Sequence, residues 1–236
     1  MKTLSIKNPL SGELNYFRVR EDSSDEKVIN EIYNKRVYIK KDFSYLPSDS
    51  WLDLGANIGV FSVLISGSVK NIIAIEPEKE NFQLLKMNLS LNNINNVECI
   101  NKAVVPTSFQ GSSVNLFVNS DNFWKHSLWP KRKRGVKKVA VPVIKFNELP
   151  EYNIKMDIEG AELLILDNEK VFNNKIIIME YDFQIDKRLD AFWQRLEKLE
   201  MNFKVIFSRR NSMKKSGFWL DSWFPPNEFL TCIRKD

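Results

Sequence analysis

From Ser50 onward, short apolar runs alternate with longer stretches in which apolar residues recur every three or four positions. The runs have the length and Ile/Val content of buried strands, and the longer stretches have the period of amphipathic helices. The strands are expected at Ser50–Leu54, Asn71–Ile75, Val97–Ile100, Ile154–Ile158 and Lys175–Glu180. The helices between and after them are expected at Val60–Ser66, Lys79–Leu91, Glu162–Leu166 and Arg188–Leu199, with Phe82, Leu85 and Leu89 forming one apolar face. Strand–helix alternation of this kind predicts an α/β fold, a mostly parallel sheet with helices on both faces. The rhythm pauses between Pro106 and Pro150, where Val114–Val118 and Val139–Ile144 read as added strands, and Phe203–Phe207 and Phe229–Ile233 read as closing strands. Residues 1–45 form a short N-terminal extension, with a strand at Tyr16–Arg20 and a helix at Ser24–Asn34.

In parallel sheets, ligands bind beyond the carboxyl ends of the strands. Four predicted strands end on acids: Asp53, Glu76, Asp157 and the Glu180-Tyr181-Asp182 run. A carboxylate is costly to bury without a partner, so four on one sheet edge point to a site there.

The sharpest local pattern is Asp53-Leu54-Gly55-Ala56-Asn57-Ile58-Gly59, at a predicted strand-to-helix junction. Gly55 and Gly59 permit a tight turn and close backbone approach. A pyrophosphate-binding loop needs a second glycine where this chain has Asn57. A ligand with ribose and adenine but no pyrophosphate fits better, and S-adenosylmethionine is such a ligand. Its amino and carboxylate ends are expected against Asp53 and the loop N–H groups, with Ser62 assisting. Glu76, 23 residues after Asp53 at the next strand end, suits the ribose hydroxyls. Asn101, Lys102 and Ala103 are placed to line the adenine.

Together, Asp53-Leu54-Gly55-Ala56-Asn57-Ile58-Gly59, Glu76-Pro77, Asn88-Leu89 with Leu91-Asn92-Asn93, and Lys155-Met156-Asp157-Ile158-Glu159-Gly160-Ala161-Glu162 resemble the FkbM-type methyltransferases. The resemblance runs from roughly Phe17 to Tyr181. It implies a class I, Rossmann-like fold and an O-methyltransferase that uses S-adenosylmethionine and releases S-adenosylhomocysteine. It also implies an acceptor hydroxyl on a sugar, including deoxyhexoses, or on another small natural product. Where such proteins often carry Glu followed closely by His, this chain has Glu180-Tyr181-Asp182.

Methyl transfer to an alcohol needs the acceptor held in line with the donor, and a base or a metal to take up or weaken its proton. Asp157 is the first candidate for the base and Glu180 the second. Lys155 is a candidate for an electrostatic role, or for a base if burial lowers its pKa. Glu159 is expected to hold a substrate hydroxyl or to open the next helix. Asp157, Glu180 and Asp182 are an all-oxygen set compatible with a divalent metal, which spacing alone does not establish.

Composition changes this picture in two places. Six of the 35 basic residues stand in Lys131–Lys138, and the remaining 29 nearly balance the 30 acids. The basic character is therefore local, on an insertion at residues 119–138 expected beside the substrate. That insertion also holds His126, the one histidine, together with Trp124 and Trp129. His126 and Trp129 are candidate substrate contacts, since aromatic faces suit stacking on a sugar or a base. The alternative reading is an RNA 2′-O-methyltransferase that uses the basic run; no RNA-binding module supports it, so a small-molecule or glycan acceptor is favoured over nucleic acid. Two distant cysteines, no apolar run near the roughly 18 residues of a membrane helix, and an early polar N-terminus lead to the expectation of one cytoplasmic domain. Oligomeric state is not legible in the sequence.

Overall fold

The computed structural model describes residues 1–41, 43–119, 136–158, 161–182, 189–207 and 227–235. The chain opens with an antiparallel hairpin, β1 (Lys2–Lys7) and β2 (Leu14–Val19). Helix α1 (Asp25–Ile29) then runs directly into one π-helical turn, Asn30–Asn34. The alternating part follows as β3 (Ser50–Leu54), α2 (Val60–Ile65), β4 (Asn71–Ile75), α3 (Lys79–Leu91) and β5 (Val97–Ile100). After β6 (Ala103–Val105), β7 (Ser113–Asn119) and β8 (Val136–Lys145), it resumes with β9 (Asn153–Met156), α4 (Glu162–Leu166), β10 (Ile176–Asp182), α5 (Leu189–Asn202), β11 (Phe203–Phe207) and β12 (Asn227–Arg234).

Among the described residues, seven strands share the central sheet in the order β11-β12-β10-β9-β3-β4-β5. From β5 to β10 neighbouring strands are parallel, and β12 is antiparallel to both of its neighbours. The expected mostly parallel α/β sheet is thus present. The strand period of two sorts β3 onto both faces. Trp51 joins a core with Phe61 and Leu64 of α2, Leu85 and Leu89 of α3, and Phe17 of the hairpin. Leu52 and Leu54 join the opposite core with Met156, with Leu163 and Leu166 of α4, and with Leu196 and Leu199 of α5. Burying each such side chain contributes about 1.5–3 kcal/mol. Asp53 lies between Leu52 and Leu54, so it shares the α2 side of the sheet with Trp51.

The structure departs from the expectations at specific elements. β1 was not expected, because Lys2-Thr3-Leu4-Ser5-Ile6-Lys7 is a half-exposed ladder beside β2, with only partial burial of Leu4 and Ile6. The helix expected over Ser24–Asn34 changes hand-hold after Ile29, where the π-helical turn begins. β9 stops at Met156, which leaves Asp157 as the first residue beyond the strand. β6 makes a separate three-stranded sheet, order β6-β8-β7, around Ala103, Leu116 and Val141. No helix among the described residues is long and apolar enough to cross a membrane.

The N-terminal residues are tied to the sheet-covering helices. Asn88 of α3 accepts the Arg18 N–H at 2.6 Å and donates its amide to the Ile58 carbonyl at 2.8 Å. Asn92 accepts the Tyr16 N–H at 2.8 Å and donates to the Tyr16 carbonyl at 2.7 Å. Arg20 pairs with Asp25 at 2.7 Å and donates to Asn81 at 2.8 Å.

Candidate active site

The loop after β3 turns through three left-handed residues: Gly55 (φ +76°), Asn57 (φ +52°) and Gly59 (φ +86°). A Cβ on Gly55 would sit 1.9 Å from the Asp157 carbonyl oxygen, and one on Gly59 would sit 2.6 Å from Leu85 Cδ1. The two glycines therefore let the end of β9 and helix α3 close onto the loop. Asn57 tolerates its conformation as short amide side chains do, and its Oδ1 accepts the Ile58 N–H at 2.7 Å. Every N–H from Gly55 to Gly59 has an internal acceptor. Gly55 and Ala56 donate to the Ile75 carbonyl, Asn57 to Glu76, Ile58 to Asn57 and Gly59 to the Ala56 carbonyl. In this arrangement the loop N–H groups serve the loop's own closure.

Glu76, the first residue beyond β4, is buried, and its two oxygens accept the Asn57 and Glu78 N–H groups, each at 2.8 Å. Burial pushes this carboxyl up to about 7, against the two N–H bonds that lower it. A carboxylate offers about four lone-pair sites, so two more donors can be received there. A vicinal diol supplies two such donors, and the site fits the ribose of an adenosine ligand. Asn101 donates its amide to the Glu76 and Pro77 carbonyls at 2.7 and 3.1 Å. Lys102 is half-buried beside it, while the Ala103 side chain is enclosed in the core of the small sheet with Leu116 and Val141.

Asp53 is wholly buried. Ser62 Oγ donates to its Oδ2 at 2.7 Å, and Lys155 Nζ lies 3.1 Å from its Oδ1. Ser62 thus serves Asp53 directly. Lys155 Nζ also donates to the Gly55 carbonyl at 2.8 Å and lies 4.0 Å from Asp157 Oδ2. Burial draws the Lys155 ammonium down, but Asp53, Asp157 and Glu180 outweigh it and hold the pKa above its ordinary value. Burial therefore does not lower this pKa, which was the condition for Lys155 to serve as a base.

Asp157 stands next to this ammonium with its side chain about 30% exposed, against 0% for Asp53 and 4% for Lys155. Asp157 and Glu180 are both partly exposed, whereas Asp53 is enclosed. Glu180 follows Met179, which pairs with Met156, so it sits beside Asp157 at the sheet edge, and its charge acts on Lys155. Tyr38 was not expected here. It comes from the N-terminal residues, is buried, and donates its hydroxyl to Asp157 Oδ2 at 3.5 Å. Glu162, buried at the start of α4, accepts the Ile158 N–H at 2.9 Å and so holds the turn after Asp157. Gly55, Asn57, Pro77, Asn101, Lys102 and Asp157 are all partly exposed, and they mark one open side along the carboxyl ends of β3, β4, β5 and β9.

Glu159, His126 and Trp129 lie outside the described residues, as does the Asp182 side chain. Among the described residues, no group of three or more His, Cys, Asp or Glu is placed to hold a metal ion.

A family model for the methyltransferase FkbM domain matches residues 53–205, which includes Asp53, Glu76, Asp157 and Glu180. The chain belongs to the FkbM methyltransferase family. It is accordingly an S-adenosylmethionine-dependent methyltransferase. The FkbM methyltransferase of Methylobacillus flagellatus KT shares its fold at a TM-score of 0.51 and 16% identity, over 83% of this chain and 46% of that one. An rRNA methylase of Streptococcus thermophilus matches with TM-score 0.49 and 10% identity, over 81% of this chain and 90% of that one. Precorrin-6y C5,15-methyltransferase of Geobacter metallireducens GS-15 matches with TM-score 0.49 and 15% identity, over 93% and 94%. A search of curated proteins found no match. The fold is that of a class I methyltransferase.

Proposed function

We propose that this FkbM methyltransferase methylates a hydroxyl of a carbohydrate or sugar-bearing small molecule, with Asp157 as general base. The observation that carries the reading is Asp157 itself: a part-exposed carboxylate beside a buried ammonium, just beyond the carboxyl end of β9. Bound S-adenosylmethionine supplies an electrophilic methyl carbon. Glu76 receives the ribose hydroxyls, and Asn101 and Lys102 flank the adenine. Asp53 and Ser62 act from behind the loop, by keeping Lys155 and the Gly55 carbonyl in place. Asp157 takes the acceptor hydroxyl proton as the oxygen–methyl bond forms and the sulfur–methyl bond breaks. The Lys155 ammonium stands beside Asp157, and Glu180 holds a neighbouring hydroxyl of the acceptor. A sugar as acceptor rests on the resemblance to the family, whose members act on such hydroxyls.

The test is transfer of a labelled methyl group to a glycan panel, run beside capped and uncapped RNA, with Asp157→Asn as control. Label on a glycan, reduced about 10²-fold or more in Asp157→Asn, is the expected result. Label on RNA alone overturns the acceptor class. Full activity of Asp157→Asn overturns the base.

A further inference from the structure

We infer that Tyr38 is a positioning residue of the methyltransferase site, holding the Asp157 carboxylate in its working orientation from a segment that precedes the family domain. The inference rests on the reading of Asp157 as base. Tyr38 lies outside the matched residues 53–205, and its hydroxyl reaches Asp157 across 119 positions of sequence.

The surroundings of Tyr38 are built to hold it still. The chain leaves the π-helical turn through Arg36 at φ +55°, an uncommon conformation for a long side chain, and Ile39 N–H closes the turn onto the Arg36 carbonyl at 3.0 Å. The Tyr38 carbonyl accepts the Tyr45 hydroxyl at 2.7 Å. Its ring meets Phe61 edge-on at 5.2 Å, and Tyr45 packs on Trp51 at 5.1 Å. Lys155 Nζ stands 5.8 Å from the Tyr38 ring centroid. Packing alone would accept phenylalanine, since burying a phenol hydroxyl costs free energy unless it is bonded. The hydroxyl is what reaches Asp157.

The Tyr38 and Lys155 contacts, at 3.5 and 4.0 Å, both fall on Asp157 Oδ2. Among the described residues, the charged groups acting on the pair include Lys155 on β9, Glu180 on β10, Asp53 on β3 and Glu31 in the π-helical turn. Burial first, then the four acids Asp157, Glu180, Asp53 and Glu31, push the Tyr38 hydroxyl well above its usual range. Tyr38 therefore stays a neutral donor at any working pH.

Tyr38→Phe keeps the ring and removes the donor. Titrating the Asp157 carboxyl by carboxyl-carbon NMR, assigned with Asp157→Asn, needs neither cofactor nor acceptor. A lost donor to the charged form raises the midpoint, and we expect an upward move of about half a pH unit or more. With the acceptor labelled in the panel, kcat is expected to fall about tenfold, with KM for S-adenosylmethionine within about twofold. Replacing Tyr38 with 3,5-difluorotyrosine, a stronger donor, should move the midpoint the other way. An unmoved midpoint with unchanged kcat in Tyr38→Phe, while Asp157→Asn is inactive, overturns this inference alone. Transfer that survives Asp157→Asn overturns the base assignment beneath it.

Discussion

Gly55→Ala tests whether the cofactor loop and the proposed base form one unit. An alanine Cβ would lie 1.9 Å from the Asp157 carbonyl oxygen and 2.9 Å from its carbonyl carbon. Both are backbone atoms, so no side chain can swing aside. Relief to the shortest tolerable contact needs a movement of about 1 Å between β3's loop and the end of β9. The φ of +76° adds about 1–2 kcal/mol for any residue with a Cβ. Overpacking adds about 1–3 kcal/mol more. Urea denaturation should therefore read a loss of about 2–5 kcal/mol. The same movement stretches the Lys155–Gly55 hydrogen bond of 2.8 Å and carries Asp157 off line. A misplacement of about 1 Å costs about 10²-fold in rate, so methyl transfer per folded molecule should fall by that order. A Gly55→Ala protein with an unchanged urea midpoint and full transfer would refute the reasoning, because the close approach of Asp157 would then not constrain the site.

Two other perturbations address the charges behind the loop. Glu76 holds its proton up to about pH 7 when folded and only to about 4.5 when unfolded, so the folded chain binds more protons in between. Stability should then fall as pH rises through that window, and Glu76→Gln should flatten the slope in urea titrations at pH 5 and 8. Binding of S-adenosylmethionine should release a proton near pH 7, read as a buffer-dependent heat in calorimetry; a heat independent of buffer would count against Glu76 as the ribose acceptor. Lys155→Met leaves Asp53 buried without its cation and should cost about 3–5 kcal/mol, partly recovered by adding Asp53→Asn. A loss below about 1 kcal/mol would show that the pair carries little.

The alternating core was legible because its signals are local. In β3, β4, α3, β5 and α4 the apolar period and the flanking Gly, Pro and polar residues fix the element within a few positions, and the structure places these five where the pattern does. β1 and β6 were not legible. β1 is short, lysine-flanked and only partly covered, so its alternation is indistinguishable from a polar terminus. β6 follows β5 after two residues and takes its partner, β8, from across the insertion. Asn88 and Asn92 stood in the family pattern without a physical reason. Their amides join the hairpin, α3 and the Ile58 carbonyl of the loop.

The acids of the site could be found one by one, because each ends a strand. Their division of labour could not, since it depends on burial and on partners far away in sequence. Asp53 and Asp157 look equivalent in sequence, each set at a strand end on the same edge. In three dimensions one is enclosed by Ser62 and Lys155 and the other opens to solvent. The lysine between them decides the difference. An ammonium held 3.1 Å from a fully buried acid and 4.0 Å from a part-exposed one ties the two charges together, with the Gly55 carbonyl as its third contact. Removing Asp53 would then reach the acceptor side without touching it, by freeing Lys155 and through it the loop and Asp157. On the proposed mechanism, Asp53 keeps the cation in place beside the acid that serves as base.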